Sequence, residues 1–197
     1  MMINGWDFDY ESLPHWQHQE EWTVQEGRMY SYVFCENKVH DIAFLVYSIC
    51  EARMGWYCGF LAVLKNKQSP ELFLNVTNGT FTQGKVFFSA DGNFAFIKSS
   101  VPDGGLPIFI FDLPANKFAC YKPKARNSCY WVEEIGGKFI IVADKWQMEN
   151  DKKSGLKKLN GTEIKLKKLK WFPSQDLDSF CYDMLESLKK RYPEDYG

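Results

Sequence analysis

Residues 85–98 read KVFFSADGNFAFIK, and this stretch decides the fold. Two runs rich in Phe, Val and Ile flank the turn Ser-Ala-Asp-Gly-Asn. Such residues favour pleated, half-buried strands. Asp91-Gly92 at the centre predicts a two-residue hairpin turn, because Gly enters the required left-handed backbone freely and Asp tolerates it. PIFIFDL at residues 107–113 predicts a third strand, and NKFACY at 116–121 a fourth. The building unit is therefore an antiparallel up-and-down meander, and it carries no catalytic group.

The same pattern extends on both sides. MYSYVF alternates, IAFLVYSI is nearly continuous, and MGWYCGFLAVL is long enough for a bent strand or a bulge at Gly59. ELFLNVT, CYWVEEI and KFIIVADK complete a set of ten predicted strands over residues 29–145, with no convincing helix. Asn78-Gly79, Pro102 to Gly105 and Gly136-Gly137 punctuate them. Past Trp146 the composition shifts. Residues 149–155 are polar and read as a loop. TEIKLKKLKWF alternates as a late strand, ended by Pro173-Ser174. Over residues 175–192, Leu177, Phe180, Cys181, Met184, Leu185, Leu188 and Tyr192 recur at helical spacing. Ser174 is placed to cap that helix and Pro193 to stop it. The expected fold is mainly β: antiparallel meanders with one C-terminal amphipathic α-helix. The expected organisation is a single domain over 1–197, with an acidic aromatic segment at 1–27, meanders at 28–170 and the helix at 174–192.

The stretch from Phe87 to Tyr121 resembles a β-propeller blade. F-S-x-D-G-x-F-x-F followed by I-F-I-F-D-L is a phrase common in propeller families. Blades take ~40–45 residues and rings need about four or more, whereas residues 20–170 supply about three. The resemblance thus implies an incomplete, open, twisted array. A β-sandwich is the other candidate.

Composition limits the function. The 197 residues are 45% hydrophobic and 17% aromatic, enough for a sizeable core, and the net charge of −1 does not suit a generic nucleic-acid binder. Residues 1–10 show no basic, then apolar, leader, and no apolar run approaches the ~20 residues that span a bilayer. The cytosol is the expected compartment, with no membrane contact. Cys35, Cys50, Cys58, Cys120, Cys129 and Cys181 lack CxxC spacing and read as reduced, apolar side chains.

Catalytic and metal motifs are not found. The chain has no G-x-S-x-G elbow, P-loop or Rossmann glycine pattern. His15 and His18 form H-x-x-H, which could share a metal only on one helix face with Glu20 or Glu21 as a third ligand; an exposed polar role is the simpler reading. His40-Asp41 reads as a turn between strands. Glu133 and Glu134, adjacent on a strand, point to opposite faces and cannot act as a pair. No enzyme activity, metal or cofactor is expected.

Two charged features remain. Residues 152–170 hold eight Lys against Asp151 and Glu163, with Trp171 and Phe172 beside them. This reads as the solvent face of an edge strand rather than a phosphate-binding stripe, so direct nucleic-acid binding is not expected. Residues 1–27 hold six acidic groups and no Lys or Arg, interleaved with large aromatics. Trp and Tyr are enriched at binding hot spots, and acidic groups steer a basic partner. Asp7, Asp9, Glu20, Glu21 and Glu26, with Trp6, Tyr10 and Trp22 as anchors, are the candidate partner-binding residues.

In size, composition and domain style the chain resembles bacterial immunity proteins of polymorphic or contact-dependent growth-inhibition toxin systems. Those families share no common motif, so no residue is carried over. The resemblance implies a cytosolic inhibitor that covers the substrate cleft of a basic toxin domain, a nuclease by expectation. Exposed Trp and Tyr on a sheet would instead suit a small-ligand or carbohydrate-binding module, and a spatially assembled enzyme site would leave no linear trace.

Overall fold

The computed structural model describes residues 2–9, 13, 31–50, 57–76, 81, 86–99 and 106–191. The chain divides into two compact units: Met1–Lys85 with Ser174–Gly197, and Val86–Pro173.

The first unit begins with a hairpin, β1 (Met2–Ile3) paired to β2 (Trp6–Asp7). Its turn is Asn4-Gly5, both in the left-handed region at φ 50° and 82°. Asn-Gly is the strongest short hairpin signal. A four-stranded antiparallel sheet follows in chain order: β3 (Ser31–Asn37), β4 (Ile42–Cys50), β5 (Tyr57–Lys65) and β6 (Glu71–Val76). Ile42 to Tyr47 are all buried, so the centre of β4 is covered on both faces, which explains its unbroken apolar run. On one face Ala43, Leu45, Tyr47, Phe60, Ala62 and Leu64 form a core with Ile3, Trp6, Phe8 and Leu13. The sheet's register corrects the expected bulge. β4 and β5 pair without a break through Gly59, opposite Ser48. The irregularity lies on β6, where Val63 pairs with Leu74 and Leu64 with Leu72, leaving Phe73 as the extra residue. Its ring lies 3.2 Å from the Lys65 ammonium, which covers the aromatic face that the bulge turns outward.

The second unit holds the meander expected from residues 85–121. β7 (Val86–Phe88), β8 (Phe94–Lys98), β9 (Ile108–Asp112) and β10 (Lys117–Tyr121) pair antiparallel in chain order. The β7–β8 turn differs from expectation. Only Gly92 has positive φ, at 74°, and the loop is four residues long, closed by Ser89 N–H to Phe94 O at 2.9 Å. Asp91 stays in ordinary backbone because its carboxylate does the organising. It accepts from the Ser89 hydroxyl at 2.6 Å and from Asn93 N–H at 2.9 Å. The Ser89 bond, first, holds the Asp91 carboxyl below its usual range.

After β10 the chain forms the hairpin β11 (Tyr130–Ile135) and β12 (Lys138–Ala143), then the short helices α1 (Lys145–Asn150) and α2 (Leu156–Leu159). Neither helix was expected. Asp144 caps α1 by accepting from Gln147 N–H at 2.8 Å. The expected strand over residues 162–172 is broken into three pieces: a bridge from Glu163 to Ile140, a 3₁₀ turn at Leu166–Lys168, and β13 (Trp171–Pro173), which joins the sheet beside β10. The cause is a change of period. Ile164, Leu166 and Leu169 all pack on one core, and 166 and 169 share a side of a 3₁₀ turn but never of a strand. Phe96, Ile110, Tyr130, Phe139, Ile141 and Leu156 form the centre of that core.

The chain then supplies the first unit with a 3₁₀ turn, Ser174–Asp176, and α3 (Leu177–Arg191). Leu177, Cys181, Met184 and Leu188 are its buried stripe, as the spacing predicted, and it packs beside β6. Ser174 opens the 3₁₀ turn and is buried. The architecture is mainly β, in antiparallel sheets that do not close into a barrel, with the C-terminal helix. No helix among the described residues is long and apolar enough to cross a membrane.

Candidate functional site

The candidate contact residues of the N-terminal segment separate. Trp6 is fully buried and packs edge-on against Phe34, with ring centroids 6.2 Å apart. β2 points it inward and Asp7 outward, since neighbours on a strand face opposite ways. The Trp6 indole is therefore a core group and presents no surface to a partner. Asp7 and Asp9 are exposed. Tyr10, Glu20, Glu21, Trp22 and Glu26 lie outside the described residues, as do His15 and His18.

Beside Trp6, Glu36 pairs with Lys67 at 2.9 Å. The Lys67 bond, chiefly, keeps the Glu36 carboxyl below its usual range. The Trp6 Nε1 makes no hydrogen bond of ordinary geometry, yet lies near enough to favour the ionised carboxylate.

Charge is segregated between the units. Val86–Pro173 hold 15 Lys and Arg against 9 Asp and Glu, a formal +6; the rest of the chain holds 9 against 16, a formal −7. The sum is the unremarkable −1 of the whole chain. All eight Lys of residues 152–170 are exposed, although α2 and a 3₁₀ turn carry four of them and no single edge strand carries the set. The two neighbouring glutamates of β11 do face apart. Glu133 accepts from Trp131 Nε1 at 2.7 Å, and Glu134 accepts from Ala90 N–H at 2.7 Å.

The second unit also contains an open cleft of about 630 Å³, and no expectation placed a site there. β8 supplies Lys98; β11 supplies Trp131; Asp144, Trp146 and Gln147 come from the start of α1. Lys98 Nζ donates to Ser128 O at 2.7 Å and Tyr130 O at 3.1 Å, and lies 5.1 Å from the Tyr130 ring centroid. Burial pushes its ammonium below the usual lysine range. Trp131 and Trp146 are 45% and 65% exposed, unusual for indoles. These residues lie 33 and 15 positions apart, so no motif joins them. The one usable signal was Trp131-x-Glu133 on a strand, which places an indole on the outer face.

Cys35, Cys120 and Cys129 are half-buried and Cys181 is buried, and none of the four is in a disulfide. Among the described residues no three His, Cys, Asp or Glu converge as a metal group. No family model matches the chain, and no curated protein or solved structure matches it either.

Proposed function

We propose that the chain is a non-enzymatic binding protein of the toxin-neutralising immunity type, which recognises a basic partner through its acidic first unit. The observation that carries this is the segregation of charge, −7 on one unit and +6 on the other. A protein of net −1 would steer nothing at long range if its charges were mixed. Separated, they make one unit attractive to a cationic surface and orient the encounter. Asp7 and Asp9 are the described acidic groups of the proposed contact; Asp7 stands on a hairpin whose rear is anchored by Trp6 in the core, and Asp9 lies two residues past it. A carboxylate held on a rigid β scaffold loses little freedom on binding. The proposed partner is a basic toxin domain, a nuclease in the first instance, whose substrate cleft the acidic surface would cover.

The test is capture of the partner on the immobilised chain, its identification, and a nuclease assay of that partner with added chain. Stoichiometric loss of activity, with association slowed by salt, is the expected result. A captured partner whose activity is untouched at saturation overturns the inhibitor reading.

A further inference from the structure

The cleft of the second unit offers chemistry that an acidic protein contact does not use. Trp131 is fixed by its bond to Glu133, so its ring lies along the outer surface of β11. Trp146 stands on α1 at the same cleft. Polar tips sit with these two indoles. Lys98 spends two of its three ammonium protons on backbone carbonyls and meets no carboxylate among the described residues, leaving the third proton to donate. Gln147 has its Oε1 occupied by Asn127 Nδ2 at 3.0 Å, so its own amide N–H groups remain. Asp144 Oδ1 is taken by the Gln147 backbone N–H, which leaves Oδ2 as an acceptor.

We propose that this cleft is a saccharide-binding site with a preference for sugars that bear a carboxylate, such as uronic acids. A pyranose has an apolar C–H face, a rim of hydroxyls that both donate and accept, and enough polarity to stay partly in water. Exposed indoles suit the first, and an amide, a carboxylate and an ammonium suit the second. The openness of the cleft suits the third, where a wholly apolar ligand would require enclosure. The Lys98 ammonium and the +6 of the surrounding unit select for the acidic sugar through a charge-assisted bond. The site belongs to the second unit alone and stands whether or not the first unit binds a toxin.

The whole chain is titrated with a galacturonic acid tetramer and, as the uncharged control, maltotetraose, following tryptophan fluorescence. The acidic tetramer is expected to change the emission with a Kd of about 0.1–1 mM, and the neutral one to bind about tenfold more weakly. Trp146→Ala removes an exposed side chain and leaves the fold intact; it should weaken the acidic tetramer more than about tenfold, or roughly 1.4 kcal/mol. Lys98→Met should narrow the gap between the two sugars, leaving only the preference set by the surrounding basic charge. Raised salt needs no variant and should weaken the acidic sugar only. The site is overturned if neither sugar changes the emission up to about 10 mM, or if Trp146→Ala leaves the response unmoved. Equal affinities in the native chain, indifferent to salt, overturn the preference for acid.

Discussion

The two units use the same residue types for opposite ends. In the first, the one described Trp goes inward with the core aromatics, although Tyr32 and Tyr182 stay exposed. Trp6, Phe44, Tyr47 and Phe60 are buried on a sheet with nine-residue central strands, and acidic groups dominate its charge. In the second, strands run three to six residues, and turns and short helices around them carry a basic surface with two indoles in the open. Long strands satisfy each other's backbone groups along their edges, and the layers packed on their faces leave little to present. Short strands joined by turns leave gaps between elements, and the cleft at Lys98 is one of them. Binding chemistry gathers where regular pairing stops.

The contrast between Trp6 and Trp146 gives the largest predicted effect. Trp6→Ala should cost about 3–5 kcal/mol, because it empties a filled site in the first unit's core. Trp146→Ala should stay within about 0.5 kcal/mol, as for a surface position. Urea denaturation midpoints decide it; equal losses would erase the distinction between the two units. Next in size is Tyr130→Phe. The Tyr130 hydroxyl donates to Leu106 O, and burial pushes the phenol well above its usual range. Its removal strands a carbonyl and should lower stability by about 1–3 kcal/mol in the same measurement.

Charge reversal tests the division directly. Asp7→Lys with Asp9→Lys should slow association with the captured partner about tenfold, while Lys165→Glu with Lys167→Glu should not slow it. Stopped-flow association rates read this, and the opposite pattern would assign the contact to the basic unit.

The smallest effects are in pH; in both units stability rises with pH, in acid for Glu36 and in alkali for Lys98. Glu36 has a lowered carboxyl, so its contribution is present above the ordinary glutamate range and is lost as pH falls through its folded value. Lys98 has a lowered ammonium, so the folded chain sheds that proton before the unfolded chain does. Stability attributable to it rises with pH between its folded value and the ordinary lysine range. Stability of the native chain minus that of Glu36→Gln should shrink in acid. The same difference against Lys98→Met should grow in alkali.

The strands were readable because burial imposes a period of two, and ten runs between 29 and 145 became β3 to β12. What escaped was whatever a period cannot encode. Leu166 and Leu169 broke the alternation in plain sight, yet the Lys residues between them kept a strand-like texture. The helix α1 is six residues long and has no buried residue, too little for any hydrophobic pattern to mark. Asn4-Gly5 was a legible hairpin signal lying in a segment dominated by acidic charge. That charge is real, but alternation with aromatics on β2 means that one face of the hairpin must enter the core, and Trp6 does. The cleft could not be seen, since Lys98, Trp131 and Trp146 meet only when β8, β11 and α1 are folded.

The bond from Glu134 to the Ala90 amide has a consequence for durability. A four-residue surface loop is the kind of place where a protease begins, because cleavage needs the backbone to peel away and extend. Here a carboxylate from another hairpin grips the loop's first amide from outside, while Asp91 grips it from within. Nicking at 90–93 would have to break both holds together, so this surface loop is double-latched against it.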